Sequence, residues 1–159
     1  MKYAEWLETV PSEITSDPIW RLEVYRLALF IDDIGWPDVL ALSKNNLMWG
    51  VADQLHRSLG SISANLTEGY SRSKGLDRAR FFEISLGSAR ESRDWYYKSR
   101  HVLSAEVIKH RMGLAIHIIG MLTPMIQHQR RNAIREEQAD YTSLPQPSNL
   151  LLDSEIPMP

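Results

Sequence analysis

Apolar side chains recur every three or four residues through most of this chain, and no stretch alternates apolar and polar residues as a strand does. Spacing of this kind places the apolar side chains on one face of an α-helix. The sequence therefore predicts four long helices, at residues 19–34, 46–68, 76–102 and 105–130.

Glycine and proline mark the predicted ends of these helices. Gly35-Trp36-Pro37 is predicted to stop the first helix, and Gly69 to follow the second as its C-terminal cap. Pro124 is predicted to kink the fourth helix or to end its regular part. Because short loops join the helices, the predicted fold class is all-α, an antiparallel up-and-down four-helix bundle.

The segments on either side of the bundle differ from it in composition. Residues 1–18 are predicted to be an N-terminal extension in which Tyr3 and Trp6 mark one short amphipathic turn. Residues 19–135 are predicted to form the bundle domain. Residues 136–159 form an acidic, proline-rich tail that we expect to be disordered.

The net charge of −2 is unevenly distributed along the chain. Residues 1–46 carry −4, residues 47–135 carry +7 and residues 136–159 carry −5. A basic segment between acidic ends indicates that the basic segment binds a polyanion. An ordinary solvated surface with acidic ends would give the same count.

Cysteine is absent, which excludes disulfides, thiolate metal sites and a cysteine nucleophile and fits a reducing cytoplasm. We see no export signal at the N-terminus. The most apolar stretch, residues 112–126, is shorter than the roughly 20 residues that cross a bilayer. We therefore expect a cytoplasmic protein without a membrane partner.

The chain shows no motif for catalysis. His110 and His117 lack partners at the spacing of helical metal sites, and Glu106 with His110 is interpreted as a surface pair. Gly69 and Gly75 flank a turn without the pattern of a phosphate-binding loop. We predict a protein that is not an enzyme and holds neither a metal nor a cofactor.

The second and third predicted helices each carry a row of polar residues at helical spacing. We expect these two rows to face each other, with small residues between them. Opposite charges at Arg57 and Glu91, and at Glu68 and Arg80, would then pair between the helices. This polar seam is either a structural hydrogen-bonded layer or a binding or catalytic cleft, and the tendency of buried polar groups to satisfy one another favours the layer. The seam residues are Gln54, Arg57, Ser61, Asn65, Glu68, Arg80, Ser88 and Glu91.

The same residues carry a resemblance to a known family. Segments 54–58 (QLHRS), 61–69 (SISANLTEG) and 80–91 (RFFEISLGSARE) resemble the four-helix bundle protein family in order and separation. This family includes proteins encoded in intervening sequences of 23S rRNA genes and the Avd accessory proteins of diversity-generating retroelements. The resemblance covers about residues 19–130 and implies a homopentamer. For the Avd branch it also implies binding to nucleic acid and to a reverse transcriptase.

Lysines and arginines of the third and fourth helices, and of the loop before the third, are candidate phosphate contacts because their charges release counterions from nucleic acid. The Trp95-Tyr96-Tyr97 run lies among them and offers rings for base stacking, although rings at helical spacing more often belong to a core. The candidates are Arg72, Lys74, Arg78, Arg90, Arg93, Lys98, Arg100, Lys109, Arg111, Arg130, Arg131 and Arg135.

Two functions remain open at this point. One is an oligomeric, nucleic-acid-binding accessory protein that serves a reverse transcriptase or another RNA-handling enzyme. The other is a protein–protein adaptor or scaffold without a nucleic-acid role, which the acidic ends and the overall charge favour.

Overall fold

The computed structural model describes residues 2–133, so Arg135 and the predicted tail lie outside the described residues. Two short helices come first and four long ones follow: α1 (Tyr3–Leu7), α2 (Ser12–Thr15), α3 (Glu23–Ser43), α4 (Trp49–Tyr70), α5 (Gly75–Lys98) and α6 (Ala105–Ala133). Short 3-10 segments lie between some of them, at Pro18–Arg21, Asn46–Met48 and Ser99–His101.

The four long helices form a bundle, which confirms the predicted all-helical class. Each packs on the next along the chain, and α6 returns to contact α3. Ser58 and Ser61 of α4 contact Ser92 and Ser88 of α5 respectively, so residue numbers rise on one helix as they fall on the other. The two helices therefore run antiparallel.

The apolar stripe predicted for the second helix forms the core face of α4. Burying each such side chain contributes about 1.5–3 kcal/mol, and the buried members are Leu55, Leu59, Ile62 and Leu66. Leu47, eight residues before Leu55, fits the same helical spacing within the predicted helix 46–68 but is 92% exposed. It lies in the 3-10 segment before α4, where the Asn45 side chain accepts the Leu47 N–H at 3.0 Å.

Helix α3 continues through Gly35-Trp36-Pro37, so the predicted stop is wrong. A Cβ at residue 35 would lie 2.6 Å from Leu59 Cδ1 and 3.0 Å from the Tyr96 hydroxyl oxygen. Gly35 therefore serves close packing between helices rather than a turn. Pro37 has no N–H to donate to the preceding turn. Burial of the residues on both sides of it stabilises the helix by more than that missing hydrogen bond costs.

Gly69 and Pro124 also lie inside helices. A Cβ at residue 69 would lie 2.8 Å from the Phe82 ring of α5, and α4 ends one residue later at Tyr70. Gly69 is thus a close-packing residue, and its prediction as a C-terminal cap is wrong. Helix α6 does not end at Pro124 but runs on to Ala133.

The N-terminal turn packs onto the bundle. Tyr3 and Trp6 of α1 are buried in the same core as Phe30 of α3. Trp6 Nε1 donates a 2.7 Å hydrogen bond to Asp33 Oδ2, and the Tyr3 hydroxyl donates a 3.0 Å bond to Glu23 Oε1. Aromatic packing and two hydrogen bonds therefore attach α1 to α3.

A charged pair lies inside the bundle. Asp38 of α3 and Arg111 of α6 are both 0% exposed, and Arg111 Nε donates to Asp38 Oδ2 at 2.8 Å. Arg111 Nη2 also donates to the Ile34 carbonyl at 3.3 Å, and the Tyr96 hydroxyl of α5 donates to Asp38 Oδ2 at 3.1 Å. Burial raises the pKa of Asp38, and the hydrogen bond and charge of Arg111 oppose that rise. The network joins α3, α5 and α6.

The complete burial of Arg111 contradicts its prediction as a nucleic-acid contact. Arg111 lies four residues after Val107 and three before Leu114, both buried, so it belongs to the apolar face of α6. His110 is buried too, with Nδ1 3.0 Å from Arg111 Nη1. Its interpretation as half of a surface pair with Glu106 is therefore wrong.

Removing the carboxylate of this pair should destabilise the fold strongly. Asp38→Ala leaves the Arg111 guanidinium buried without its counter-charge, and we expect the free energy of unfolding to fall by about 3–5 kcal/mol. The double variant Asp38→Leu/Arg111→Met removes both charges and should recover most of that loss. Urea denaturation followed by circular dichroism measures both values.

Asp94→Ala is the control, because Asp94 is an exposed acid whose loss should change stability by about 0.5 kcal/mol or less. A double variant no more stable than Asp38→Ala would contradict this account of the buried charge.

Candidate nucleic-acid interface and polar seam

Helices α4 and α5 meet along a column of serines. The Ser61 and Ser88 hydroxyls lie 2.8 Å apart, and Ser92 Oγ donates to Ser58 Oγ at 2.9 Å. Ser85 Oγ donates to the Ile62 carbonyl at 2.8 Å. Such bonds form only where two helix backbones lie close together, and small side chains permit that approach.

Asn65 sets the direction of the hydrogen bonds in this column. Its Nδ2 donates to the Ser61 carbonyl at 2.8 Å and to Ser61 Oγ at 2.9 Å. The Ser61 hydroxyl is then the donor to Ser88, whose own hydroxyl donates to the Ile84 carbonyl at 3.0 Å. The Ser61 and Ser88 hydroxyls thus each fill a donor and an acceptor role, as polar groups of a structural hydrogen-bonded layer do.

The charged seam residues form other pairs than those predicted. Glu68 pairs with Arg72 one turn further along, and Glu91 Oε1 accepts a 3.1 Å hydrogen bond from Trp95 Nε1. Neighbours at i+4 on one helix are closer than partners across the seam. Arg57 and Arg80 are exposed, as are Glu68 and Glu91, while Gln54 is half-buried. The predicted pairs Arg57–Glu91 and Glu68–Arg80 are absent from the described residues.

Small and apolar residues are exposed beside the serine column. Ala64 and Gly87 are exposed there, and Ile84 is 44% exposed although it is a large apolar residue. No atom lies within 4 Å of the Cβ position of Gly87. We call Ala64, Ile84 and Gly87 the seam surface.

Cations gather at the end of the bundle where the 71–74 loop meets the last turns of α6. Arg78 Nη2 donates to the Arg72 carbonyl at 2.6 Å, and the Arg72 guanidinium lies 4.9 Å from the Phe81 ring centroid. Arg130 of α6 pairs with Glu83 of α5. We call this set the loop-end cluster, and its members are Arg72, Lys74, Arg78, Arg130 and Arg131.

A second set of cations lies at the opposite end of α5. Lys98 Nζ is 3.7 Å from the Trp95 ring centroid, and Arg100 Cζ is 4.2 Å from the ring centroid of Tyr97, which is 55% exposed. Tyr96, between these rings in sequence, belongs to the core. We call this set the helix-end cluster, and its members are Arg93, Lys98, Arg100 and Lys109. The exposed Arg90 lies on α5 before this cluster.

Sequence reasoning missed Asp38, because the first helix was predicted to end at Ile34. If the helix is extended, Asp38 falls four residues after Ile34 and seven after Ile31, on the same apolar face. An acid on an apolar face indicates a buried partner. Burial and the negative charge of Asp38 raise the pKa of Tyr96 well above its usual value, so this phenol stays protonated and can donate to Asp38.

A metal site and a helix that could span a membrane are two further features to consider in residues 2–133. Nowhere in this range do three His, Asp or Glu side chains lie together so that they could hold a metal ion. None of the helices described is both long and apolar enough to cross a membrane. Exposed cations, exposed rings and the seam surface are among the features of this range that are open to a partner.

The comparisons with known proteins identify a family. Searches of curated proteins and of solved structures gave no significant match. The family model described as 23S rRNA-intervening sequence protein matches residues 38–124, more than half of the chain, and confirms the resemblance predicted from the seam motifs. The matched range begins at the buried Asp38 and includes the serine column and the helix-end cluster. The chain therefore belongs to the 23S rRNA-intervening sequence protein family.

Proposed function

We propose that this protein is a non-enzymatic, oligomeric binding protein that acts as a nucleic-acid-binding accessory factor. The observation that carries the proposal is the pair of exposed cation clusters at the two ends of α5. Because both clusters lie on the surface, a phosphate backbone can reach their charges without any rearrangement of the core. Membership of the family supports the proposal, since the seam motifs also resemble those of Avd proteins.

The two clusters offer different contacts to a nucleic acid. In the loop-end cluster, Glu68 and Glu83 partly neutralise Arg72 and Arg130, so Lys74 and Arg131 contribute most of the attraction for phosphates. In the helix-end cluster, Lys98 lies on the partly buried Trp95 ring and Arg100 lies on the exposed Tyr97 ring. That arrangement supplies phosphate contacts and base stacking side by side, as single-stranded nucleic acid requires.

For the assembly we propose a homopentamer in which the seam surface contributes to the contact between subunits. A half-exposed Ile84 beside the open Gly87 supports this choice, because small residues allow a neighbouring helix to approach closely. A ring would repeat each cation cluster five times, so weak single sites would add through avidity.

For the partner and the compartment we propose a reverse transcriptase or another RNA-handling enzyme in the cytoplasm. The Avd resemblance supports the partner class, and the absence of cysteine supports a reducing compartment.

A protein–protein adaptor is the second candidate function. The observation that favours it is the exposure of Trp36, Leu40 and Trp49 on α3 and at the start of α4. Large apolar side chains grouped on a surface often mark a protein contact. An adaptor of this kind would keep its partner at high salt and after charge reversal on α5.

Reversing two charges in either cluster should weaken nucleic-acid binding. We expect Lys74→Glu/Arg131→Glu and Lys98→Glu/Arg100→Glu each to reduce affinity for structured RNA by at least about tenfold. Each should also lower the salt slope of log K by about 1.5, because two phosphate contacts are lost. Fluorescence anisotropy with labelled RNA and duplex DNA at several salt concentrations measures both effects.

Arg21→Glu/Lys44→Glu is the matched control, since it changes the net charge equally at two exposed sites outside the clusters. Wild-type protein that ignores both nucleic acids at low salt would refute the proposal. Equal losses in all three double variants would indicate a response to net charge rather than to the clusters.

Replacing Gly87 of the seam surface by a larger residue should reduce the oligomeric mass. We expect wild-type protein to show a mass about five times its chain mass of 18.3 kDa by light scattering, and Gly87→Gln to show a smaller mass because its side chain occupies the contact. Gly120→Gln is the control, because Gly120 is also an exposed helical glycine with open space at its Cβ position. A monomeric wild type, or equal masses for both variants, would contradict this assembly.

A further inference from the structure

A groove of about 380 Å³ opens between the N-terminal segment and α3. Trp6 and Leu29 line it together with Pro11 and Ile14 of the N-terminal segment. Most of its lining residues precede residue 38, so they lie outside the range that the family model matches. The groove is therefore largely a feature of this chain's own N-terminal part.

Two neighbouring carboxylates line this groove. Asp33 Oδ2 accepts the Trp6 indole N–H at 2.7 Å, which anchors that carboxylate. The half-buried Asp32 receives no hydrogen bond from any described side chain or backbone group. Burial raises the pKa of Asp32, His56 opposes the rise and the charge of Asp33 adds to it. Among the described residues that line the groove, His56 is the one basic side chain beside these two acids, and no Lys or Arg lines the groove.

An open aromatic face lies beside these acids. Trp36 also lines the groove and is 53% exposed. The His56 ring packs edge-on against it, with centroids 5.4 Å apart and planes 70° apart, which helps to hold the indole in place. Leu40, one turn further along α3, is exposed as well and extends the apolar surface beyond the groove.

We propose that this groove binds an arginine side chain presented by a polypeptide partner. The planar guanidinium can stack on an indole face while its N–H groups reach two carboxylates, whereas the compact, strongly hydrated lysine ammonium cannot do both as well. Pro11 and Ile14 would contact the apolar stem of the side chain. The charge of −4 on residues 1–46 attracts a basic partner.

The exposed strip of Trp36 and Leu40 is the reason for choosing a polypeptide rather than a free organic cation. A peptide places an apolar neighbour next to its arginine, and that neighbour can cover the strip. None of the cations of the loop-end or helix-end cluster lines the groove. The inference therefore stands whether or not the protein binds nucleic acid.

The test uses the full chain labelled with ¹⁵N and titrated with a blocked peptide, leucyl-arginyl-leucine amide. We expect saturable shifts of the Trp6 and Trp36 indole signals with a dissociation constant of about 1 mM, the range of a single side-chain anchor. The same peptide with citrulline for arginine, which keeps the shape and removes the charge, should bind at least about fivefold more weakly.

Asp32→Asn should weaken binding of the arginine peptide at least about fivefold, while Asp94→Asn, an equal change of charge on α5, should leave it unchanged. Trp36→Leu changes an exposed residue, so the protein should keep its fold and lose the stacking surface; it too should bind more weakly. Backbone amide spectra report whether each variant remains folded.

Equal binding of the citrulline peptide, or undiminished binding by both folded groove variants, would overturn the proposal. Agmatine, a free guanidinium compound without a peptide backbone, tests the source of the ligand. Binding of agmatine as tight as that of the peptide would overturn the assignment to a polypeptide partner.

Discussion

The buried contact between Asp38 and Arg111 is the interaction on which the arrangement of the bundle depends. Two charges removed from water are costly unless each finds its partner, so α3 and α6 are constrained to the one register that joins them. Tyr96 brings α5 into the same network. Its hydroxyl reaches Asp38 because residue 35 has no Cβ, and Asp38 reaches the core only because α3 continues through Pro37. Gly35, Pro37 and the Asp38–Arg111 pair therefore act together in joining α3, α5 and α6.

Helices α4 and α5 are joined to each other in a different way, through neutral hydroxyls that form hydrogen bonds across the two helices and within each of them. This leaves their charged residues free to lie outward. The cations of α5 and α6 then lie at the two ends of the bundle, and the acids of α3 lie in the groove beneath the N-terminal segment. One small bundle thus presents surfaces of opposite charge, which suits the proposed contacts with a polyanion and a basic polypeptide at separate places.

Much of the candidate site could be predicted, and the misses have physical causes. Serines and small residues at helical spacing predicted that Ser61 and Ser88 would lie on facing helices. The predicted ion pairs between the helices were wrong, because Glu68 lies nearer to Arg72 on its own helix than to Arg80 on the facing helix. Arg111 looked like one more surface cation, because the acid that holds it lies 73 residues away in sequence.

The sequence alone determined the helical class, the apolar faces of α4 to α6 and the family, because spacing and motif are local properties of the chain. Only the tertiary structure decided the roles of Gly35, Pro37 and Gly69, which local rules assign to turns. Their neighbours come from other helices, and close packing against Leu59, Tyr96 and Phe82 contributes more free energy than the local preference of a glycine or a proline. Whether a charged side chain can be buried likewise depends on its partner, and for Arg111 that partner lies on another helix.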